Sequence, residues 1–525
     1  MQENNISKFN LENCQKCSIC TKVCPVMANN PRYAGPKQSG PDGERYRLKN
    51  GIFFDDALKY CLNCKRCEVA CPSGVRIGDM IQAAKIQFGH GPGLREMMLA
   101  STDVMGPMAS TFAPIANFAL GLKPVKAILD GTIGVSKHAT MPKYAGQTFE
   151  RWFKKNAEAS QDAFPRHISY FHGCYANYNY PQLGKDFVAL MNALGYGVHL
   201  LDGERCCGVA KITNGMVDSA TKDAKHNIEV FRKSIAAGRD IVTVSTSCTM
   251  TILEEYPHVL GVDNTDVKDH ISLVEKFLYK AITSGEVKLA WKPGYKAVTA
   301  YHAPCHQERM GQQIFTIELL KLIPGLELTV LDSNCCGIAG TYGFKKENYE
   351  VSKAIGTPLF NQIREVAPEF VACECETCKW QIEMHTGLPV RNPVSILADA
   401  LDLEKTSELN RLFRSVVGTA LQFRQSSTDE QRIHAGNHTV GCSTVVDVHV
   451  PSVCYSRWLT QTYFTSRNRR QYRQHLLRRH LHQVLRMGHC RCSMGNLHYV
   501  HRLYSDGIAS LQKKRYAAFL PMAQG

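Results

Sequence analysis

Between residues 167 and 400 the chain alternates strand-like and helical hydrophobic patterns, and it does so twice. In the first pass Ile168–Phe171 is a short apolar run that ends near Cys174. Leu183–Leu194 then carries apolar residues at helical spacing, and Gly197–Leu201 is strand-like again before Cys206-Cys207-Gly208. The helical stretch Met216–Ile235 leads to the apolar Ile241–Val244 and to Cys248. In the second pass the strand-like Ala297–Tyr301 precedes Cys305. Ile314–Leu322 is helical, Leu326–Leu331 is strand-like, and Cys335-Cys336-Gly337 follows. The helical Tyr349–Ile363 leads to Phe370–Ala372, then to Cys375-x2-Cys378. This order predicts two parallel α/β units, 167–290 and 291–404. Equivalent cysteines are offset by 131, 129 and 127, the last figure pairing Cys248 with Cys375. In both units the cysteines fall just past strand C-termini, where open α/β sheets place ligands.

Upstream the pattern is helical. Ile77, Met80, Ile81 and Ala84 share one face within Val75–Gln87, and Asp55–Cys61 is also helical in spacing. Pro31, Gly35, Pro36, Gly40, Pro41 and Gly43 mark the intervening insert as loop. Residues 1–93 therefore read as an α-helical domain. Residues 94–166 read as an amphipathic connector. Within it, 104–122 contain no charge and reach the lower length of a membrane span. Pro107, Pro114, Ser110, Thr111 and Asn117 argue against spanning, and Lys123, Lys126, Lys137 and Lys143 follow. The segment either rests on anionic lipid or is a Pro-broken connector packed on its own protein.

After a closing helix, Pro393–Leu403, no period lasts, save for an Arg/His-rich stretch near Arg467–Met487. Charge changes at the same place. Residues 405–525 hold 18 Lys+Arg and 5 Asp+Glu, whereas 1–404 hold 44 and 42. The net charge of +15 thus belongs mostly to the tail, and the near-neutral body speaks against a nucleic-acid-binding protein with structural clusters. The tail is either a basic arm or a shifted-frame or unrelated extension. The weak Cys490-x-Cys492 pair beside His489 does not specify a metal site. On the second reading, truncation after Leu403 would change nothing.

The 22 cysteines carry the chemistry. Met1–Asn13 is polar, with no basic-then-apolar signal, so a reducing compartment is expected, and clustered cysteines there mean metal rather than disulfides. Cys14, Cys17, Cys20, Cys24-Pro25 and Cys61, Cys64, Cys67, Cys71-Pro72 each read C-x2-C-x2-C-x3-C-P. In two-cluster ferredoxins the fourth cysteine of such a run ligates the other cluster. Cys14, Cys17, Cys20 and Cys71 are therefore expected on one [4Fe–4S] cubane, and Cys61, Cys64, Cys67 and Cys24 on a second. Zinc is a poorer match, since its sites take four ligands in pairs rather than two identical quartets.

The order Cys…Cys-Cys-Gly…Cys-x2-Cys resembles the cysteine-rich CCG domain of the heterodisulfide reductase B subunit, the glycolate oxidase iron–sulfur subunit and related quinone-linked proteins. That resemblance implies a further, non-cubane iron–sulfur cluster on Cys305, Cys335, Cys336, Cys375 and Cys378, with Cys373 outside the pattern. The first repeat offers Cys174, Cys206, Cys207 and Cys248, a possible degenerate site, with Thr251 three places after Cys248. The ferredoxin pair, Ser101–Gly106, Phe171–Asn179, Leu331–Tyr349 and Cys375–Met384 together resemble the family of anaerobic glycerol-3-phosphate dehydrogenase C subunits, over about residues 14–401. The resemblance implies a non-catalytic electron-transfer and membrane-docking subunit, peripheral on the cytoplasmic face of the inner membrane. It would take electrons from flavin-containing A and B subunits, which would hold FAD or FMN, and pass them toward quinone. An iron–sulfur subunit of glycolate or lactate oxidation, or of a heterodisulfide-type reductase, is the alternative.

Other residues weigh less. His302 and His306 flank Cys305 and either tune a cluster by donating N–H to sulfur or satisfy local carbonyls. Gly89–Gly93 follows a helix and contains Pro92, unlike a nucleotide loop. No Ser–His–Asp order or carboxylate pair outranks the thiol sets, so no bond chemistry on glycerol 3-phosphate is expected from this chain.

Overall fold

Both repeats fold as four-stranded, all-parallel sheets with the same strand order in a computed structural model that describes residues 9–50, 56–89 and 91–415. The first sheet holds β1 (Arg166–Phe171), β2 (Tyr196–Leu200), β3 (Asp240–Thr243) and β4 (Ile271–Leu273), in the order β2-β1-β3-β4. The second holds β5 (Ala297–Tyr301), β6 (Leu326–Val330), β7 (Phe370–Ala372) and β8 (Val390–Arg391), in the order β6-β5-β7-β8. The hydrophobic pattern located six of these strands to within two residues. It missed β4 and β8, whose three and two residues are too short to carry a period. Helices cover the sheets because parallel strands need crossovers. Helix Pro181–Ala193 of the first repeat packs on Pro393–Ala400 of the second, and Ser395 donates to Asp186 across that contact. The largest apolar core therefore runs through both repeats, from Tyr170, Phe187 and Val242 to Tyr301, Leu319 and Ile396.

The strand registers correct the alignment of the repeats. Ile168 pairs with Asp240 where Thr299 pairs with Phe370. After each third strand comes an extended N-cap residue, Ser245 (φ −115°, ψ 118°) or Cys375 (φ −108°, ψ 119°). Cys248 is therefore the counterpart of Cys378, not of Cys375, and the thiol missing from the first repeat is replaced by Ser245. Thr251 lies one turn further on and is fully buried, its hydroxyl donating to Glu255 at 3.0 Å. A lone cysteine aligns equally well with either member of a Cys-x2-Cys pair, and pairing Cys248 with the first member is what shifts the alignment by three residues.

The insert between the ferredoxin runs is also not the expected loop. Gln38–Asp42 forms a wide π-type turn containing Pro41 and continues into helix Gly43–Asn50. Gly40 explains why Gly and Pro are tolerated here. A Cβ on it would meet Ile77 Cγ2 at 2.8 Å, so the bare backbone lets the insert lie against helix Ile77–Phe88.

The connector forms four short helices, Leu94–Ala100, Thr102–Thr111, Ala113–Gly121 and Lys123–Thr132. Pro114 and Pro124 stand in the first turns of the last two, where a missing N–H costs nothing. Among the described residues no helix is long and apolar enough to cross a membrane. Yet Val104, Met108, Phe112, Ile115, Phe118 and Ile128 are all exposed, Ile115 and Phe118 at 69% and 70%.

The packed chain continues past the composition break at residue 404. Residues 403–415 are helical. Thr406 is buried and its hydroxyl accepts from Ala290 N–H at 3.0 Å. Asn410, 1% exposed, accepts from Lys288 N–H at 2.8 Å and donates to Lys288 C=O at 2.8 Å. Arg414 donates to Gly195 C=O. This helix is anchored by polar bonds rather than by an apolar stripe, which is why periodicity does not reveal it. Residues 416–525 lie outside the described residues, together with the stretch at 467–487 and Cys490, Cys492 and His489.

Removing the anchor should cost stability. Asn410→Ala strands a buried N–H and carbonyls, so a loss of about 1–3 kcal/mol is expected in chemical unfolding. Truncation after Leu403 should cost more. Truncation after residue 415 is the matched control that keeps the anchor.

Candidate metal centres

The two ferredoxin loops are built alike. Lys16 and Ser18 have φ of 55° and 65°, and Asn63 and Lys65, at the same places of the second run, have 55° and 62°. Left-handed backbone at non-glycine residues costs of order 1–3 kcal/mol each and marks sites whose surroundings hold it. Here it turns successive thiols to one side of the loop. Cys14, Cys17, Cys20 and Cys71 line one small cavity. Cys24, Cys61, Cys64 and Cys67 line another. The fourth cysteine of each run thus lies with the other run's first three. Pro25 starts helix Pro25–Asn29 directly after Cys24.

In the repeats the thiols gather past β1, β2 and β3 and past β5, β6 and β7. Gly208 and Gly337 follow the paired cysteines with φ of 87° and 89°. A Cβ on Gly337 would lie 2.0 Å from Ser352 C=O, so only glycine permits this turn. Cys336 and Cys378 sulfurs are 3.2 Å apart, and Cys174 and Cys206 sulfurs 4.0 Å. Thiol–thiol hydrogen bonding with Cys335 and Cys378 holds Cys336 well below the usual thiol range. Hydrogen bonding with Cys174 and Cys207 does the same for Cys206.

In the first repeat the Ser245 hydroxyl donates to the Glu376 carboxylate at 3.0 Å. A carboxylate from the second repeat therefore reaches the place of the missing thiol. The two sites are close, since Ser247 Oγ lies 3.7 Å from Cys375 Sγ.

One cavity of about 510 Å³ opens onto both repeats' thiols and onto Cys64. Its far wall is the connector, through Met98, Met105, Ala116, Ala119, Leu129 and Ile133. Cys64 meets the second repeat directly, where donation from Cys335 holds its thiol down at about 7. The four cysteine sets consequently form a row: Cys14/17/20/71, then Cys24/61/64/67, then the second repeat, then the first.

Buried charge holds this row in place. Lys65, between Cys64 and Cys67, is 2% exposed. Its ammonium pairs with Asp79 and lies 4.0 Å from Glu68 and 3.8 Å from Glu255. Burial alone would push the Asp79 carboxyl up, but Lys65 and Arg76 outweigh it and hold Asp79 down at about 2. Asn63 donates to Glu255 at 2.8 Å, Arg309 pairs with Glu68 at 2.9 Å, and Arg66 donates to Ser333 C=O at 2.7 Å.

Cysteine spacing leaves Cys373 aside, but the fold does not. It is buried and lies with His302 and Cys378, the ligand atoms of all three within 4.8 Å of one another. His306 is driven toward its neutral form, chiefly by burial.

Comparison with known proteins agrees with this layout. Residues 10–75 match the 4Fe-4S dicluster domain model, and residues 168–253 and 299–383 each match the cysteine-rich CCG domain model. The chain is 52% identical over 392 residues to the anaerobic glycerol-3-phosphate dehydrogenase C subunit of Escherichia coli K12, covering 74% of this chain and 98% of that one. It is 26% identical to the fumarate reductase (CoM/CoB) B subunit of Methanothermobacter marburgensis, over 71% of this chain and 68% of that one. It is 23% identical to the glycolate oxidase iron-sulfur subunit of Escherichia coli K12, over 75% and 95% respectively. The fold is thus a two-cluster ferredoxin domain followed by two cysteine-rich α/β repeats, as the motifs implied.

Lys65→Met should be severe. It removes the shared ammonium, leaving Asp79 to Arg76 and Glu68 to Arg309 while the buried Glu255 loses its ion pair, and breaking a buried pair in this way costs about 3–5 kcal/mol. Chemical unfolding of the anaerobically prepared variant measures the loss. Lys59→Met, on an exposed ammonium, should be neutral.

Proposed function

Because this chain belongs to the family of anaerobic glycerol-3-phosphate dehydrogenase C subunits, we propose that it carries electrons from a flavin-containing dehydrogenase to a quinone at the membrane surface. The observation that carries this reading is the row of four cysteine sets ending at a 510 Å³ apolar chamber. When bound, the clusters supply one-electron carriers along that row.

The residues divide the work. Cys14, Cys17, Cys20 and Cys71 hold the outer cubane, and Cys61, Cys64, Cys67 and Cys24 the inner one. Cys305, Cys335, Cys336, Cys375 and Cys378 hold the non-cubane cluster. Cys174, Cys206, Cys207 and Cys248 form a four-thiol site, with Ser245 and Glu376 where a fifth thiolate would stand. The Cys64–Cys335 contact brings the inner cubane site against the second repeat without intervening protein. Cys17, the exposed thiol of the outer set, marks the side facing the flavoprotein. FAD or FMN and the oxidised substrate belong to the A and B subunits.

The chamber fits a quinone ring. Its connector wall is apolar and its floor is thiols, with the Thr102 hydroxyl, which donates to Cys206, among the few polar groups on the lining. The outer side of the same helices carries Phe112, Ile115 and Phe118, with exposed Lys123, Lys137 and Lys143 nearby in sequence. That combination supports peripheral docking on anionic lipid at the cytoplasmic face of the inner membrane.

Two measurements test the reading. Ala119→Trp fills the chamber from its connector wall. Reduction of a menaquinone analogue by the assembled complex should fall at least tenfold, while cluster reduction by the dehydrogenase persists. Equal loss of both, or of neither, would contradict quinone reduction in the chamber.

The triple change Phe112→Asp, Ile115→Asp, Phe118→Asp removes three side chains each worth about 1.5–3 kcal/mol on burial. Binding to vesicles containing anionic lipid should fall at least a hundredfold, with cluster content retained. Unchanged flotation would place the docking surface elsewhere.

A further inference from the structure

The second repeat has two metal-binding side chains that neither the five-cysteine pattern nor the first repeat uses. His302 follows β5 and is 1% exposed. Neither of its ring nitrogens has an oxygen or nitrogen hydrogen-bond partner, and the group it faces is the Cys336 thiol. The metal-binding groups around the ring are thiols, those of Cys336, Cys373 and Cys378. Cys373 follows β7, is 3% exposed, and its thiol meets the Cys378 thiol and makes a long contact, 3.8 Å, to Cys375 C=O. With Cys378 they place one nitrogen and two sulfurs within 4.8 Å of one another. Two thiolates on one tetrahedral ion with bonds of about 2.3 Å stand roughly 3.8 Å apart, so the donors need draw together by no more than about 1 Å. Cys336, whose sulfur is 3.2 Å from that of Cys378, stands ready as a fourth donor.

The strand registers give the counterparts in the first repeat. Phe171 stands at the place of His302 and Thr243 at that of Cys373. Both serve packing there. The Phe171 ring meets Phe231 edge-on at 5.9 Å, and the Thr243 hydroxyl bonds to Thr249. The same fold therefore closes without donors at these places. In the second repeat a buried imidazole has only thiols to face, a costly arrangement unless something binds it.

We propose that His302 and Cys373 hold one metal ion beyond the five-thiolate cluster, with Cys378 as the shared ligand. The donor set of imidazole and thiolates selects a thiophilic first-row divalent ion, Fe²⁺ or Zn²⁺. The inference rests on the second repeat being an iron–sulfur centre, but not on the quinone or membrane reading. It makes the two repeats unlike in nuclearity as well as in thiol count.

The test uses the full chain, purified anaerobically. Elemental analysis should give one iron or zinc fewer per chain in both His302→Gln and Cys373→Ser, with the ferredoxin cluster signals unchanged. Wild-type protein should show histidine coordination. If the ion is zinc, imidazole scattering appears at the zinc X-ray absorption edge. If it is iron, protein labelled with ¹⁵N-histidine shows nitrogen coupling in pulsed EPR of the second-repeat cluster. The wild-type measurement decides even if a variant does not fold.

Full metal content in both variants overturns the proposal, as does wild-type protein without histidine coordination by either method. A changed cluster potential in His302→Gln at constant metal count would reduce His302 to a hydrogen-bond donor and likewise overturn it. Absence of any second-repeat cluster would instead refute the underlying assignment of its five cysteines.

Discussion

A buried ammonium fixes the geometry on which the cysteine row depends. Lys65 sits inside the second ferredoxin loop in left-handed backbone, so its position and that of Cys64 and Cys67 are set together. Asp79 comes from the ferredoxin domain itself, while Glu255 comes from the helical segment that follows Cys248 in the first repeat. Arg309, in the helix that begins at Cys305, returns the link through Glu68. Three cysteine-bearing parts thus meet around one small set of charges. Such buried pairs contribute little net stability against an apolar alternative, but they tolerate few other arrangements. What they supply here is spacing. An apolar interface could slide by an ångström, whereas an ammonium shared among three carboxylates has few places to go.

That constraint explains which features were legible in the sequence. Cysteine spacing predicts two quartets, and the same eight cysteines line two small cavities, since each loop repeats the spacing of the other. Six strands could be read because apolar runs of three to six residues persist between turn signals. The register of the repeats could not be read from cysteines alone, since one missing thiol lets a lone cysteine align with either member of a pair. Ser245 was invisible as a replacement because serine is also an ordinary N-cap, a role it fills here by accepting from Cys248 N–H. His302 and Cys373 are unremarkable taken singly. Only the side-by-side placement of β5 and β7 brings them to one point. The helix at 403–415 was missed for a different reason: its anchor is an asparagine side chain, and polar anchors have no period.

The repeats show how duplicated sheets come to differ while sharing one core. Tyr170 and Tyr301 occupy matched places on β1 and β5, and both are fully buried. Divergence is concentrated at the strand C-termini, where Phe171, Thr243 and Ser245 correspond to His302, Cys373 and Cys375. Substitutions there do not disturb the sheet, because they lie at or beyond the ends of the ladders. A site at strand ends can therefore lose or gain donors while the scaffold stays as it was.

The connector is apolar on both sides, and this is the least expected property of the chain. Inward, Ala116, Ala119 and Leu129 face the chamber; outward, Phe112, Ile115 and Phe118 face away from the protein. A helix serving only as a lid would be polar outside. A helix serving as a span would need about twenty apolar residues without breaks, whereas here the chain restarts its helix every two or three turns. Short helices laid flat satisfy both faces at once. Each ends before it could cross a bilayer, and together they make a layer one helix thick between the chamber and whatever covers the outer side. On the membrane reading, that layer is the whole separation between lipid and thiols, so a lipid-soluble acceptor would need only to pass between short helices to reach the second repeat. The small residues at the chamber wall then have a use beyond packing, since alanines leave room for a ring where leucines would close it.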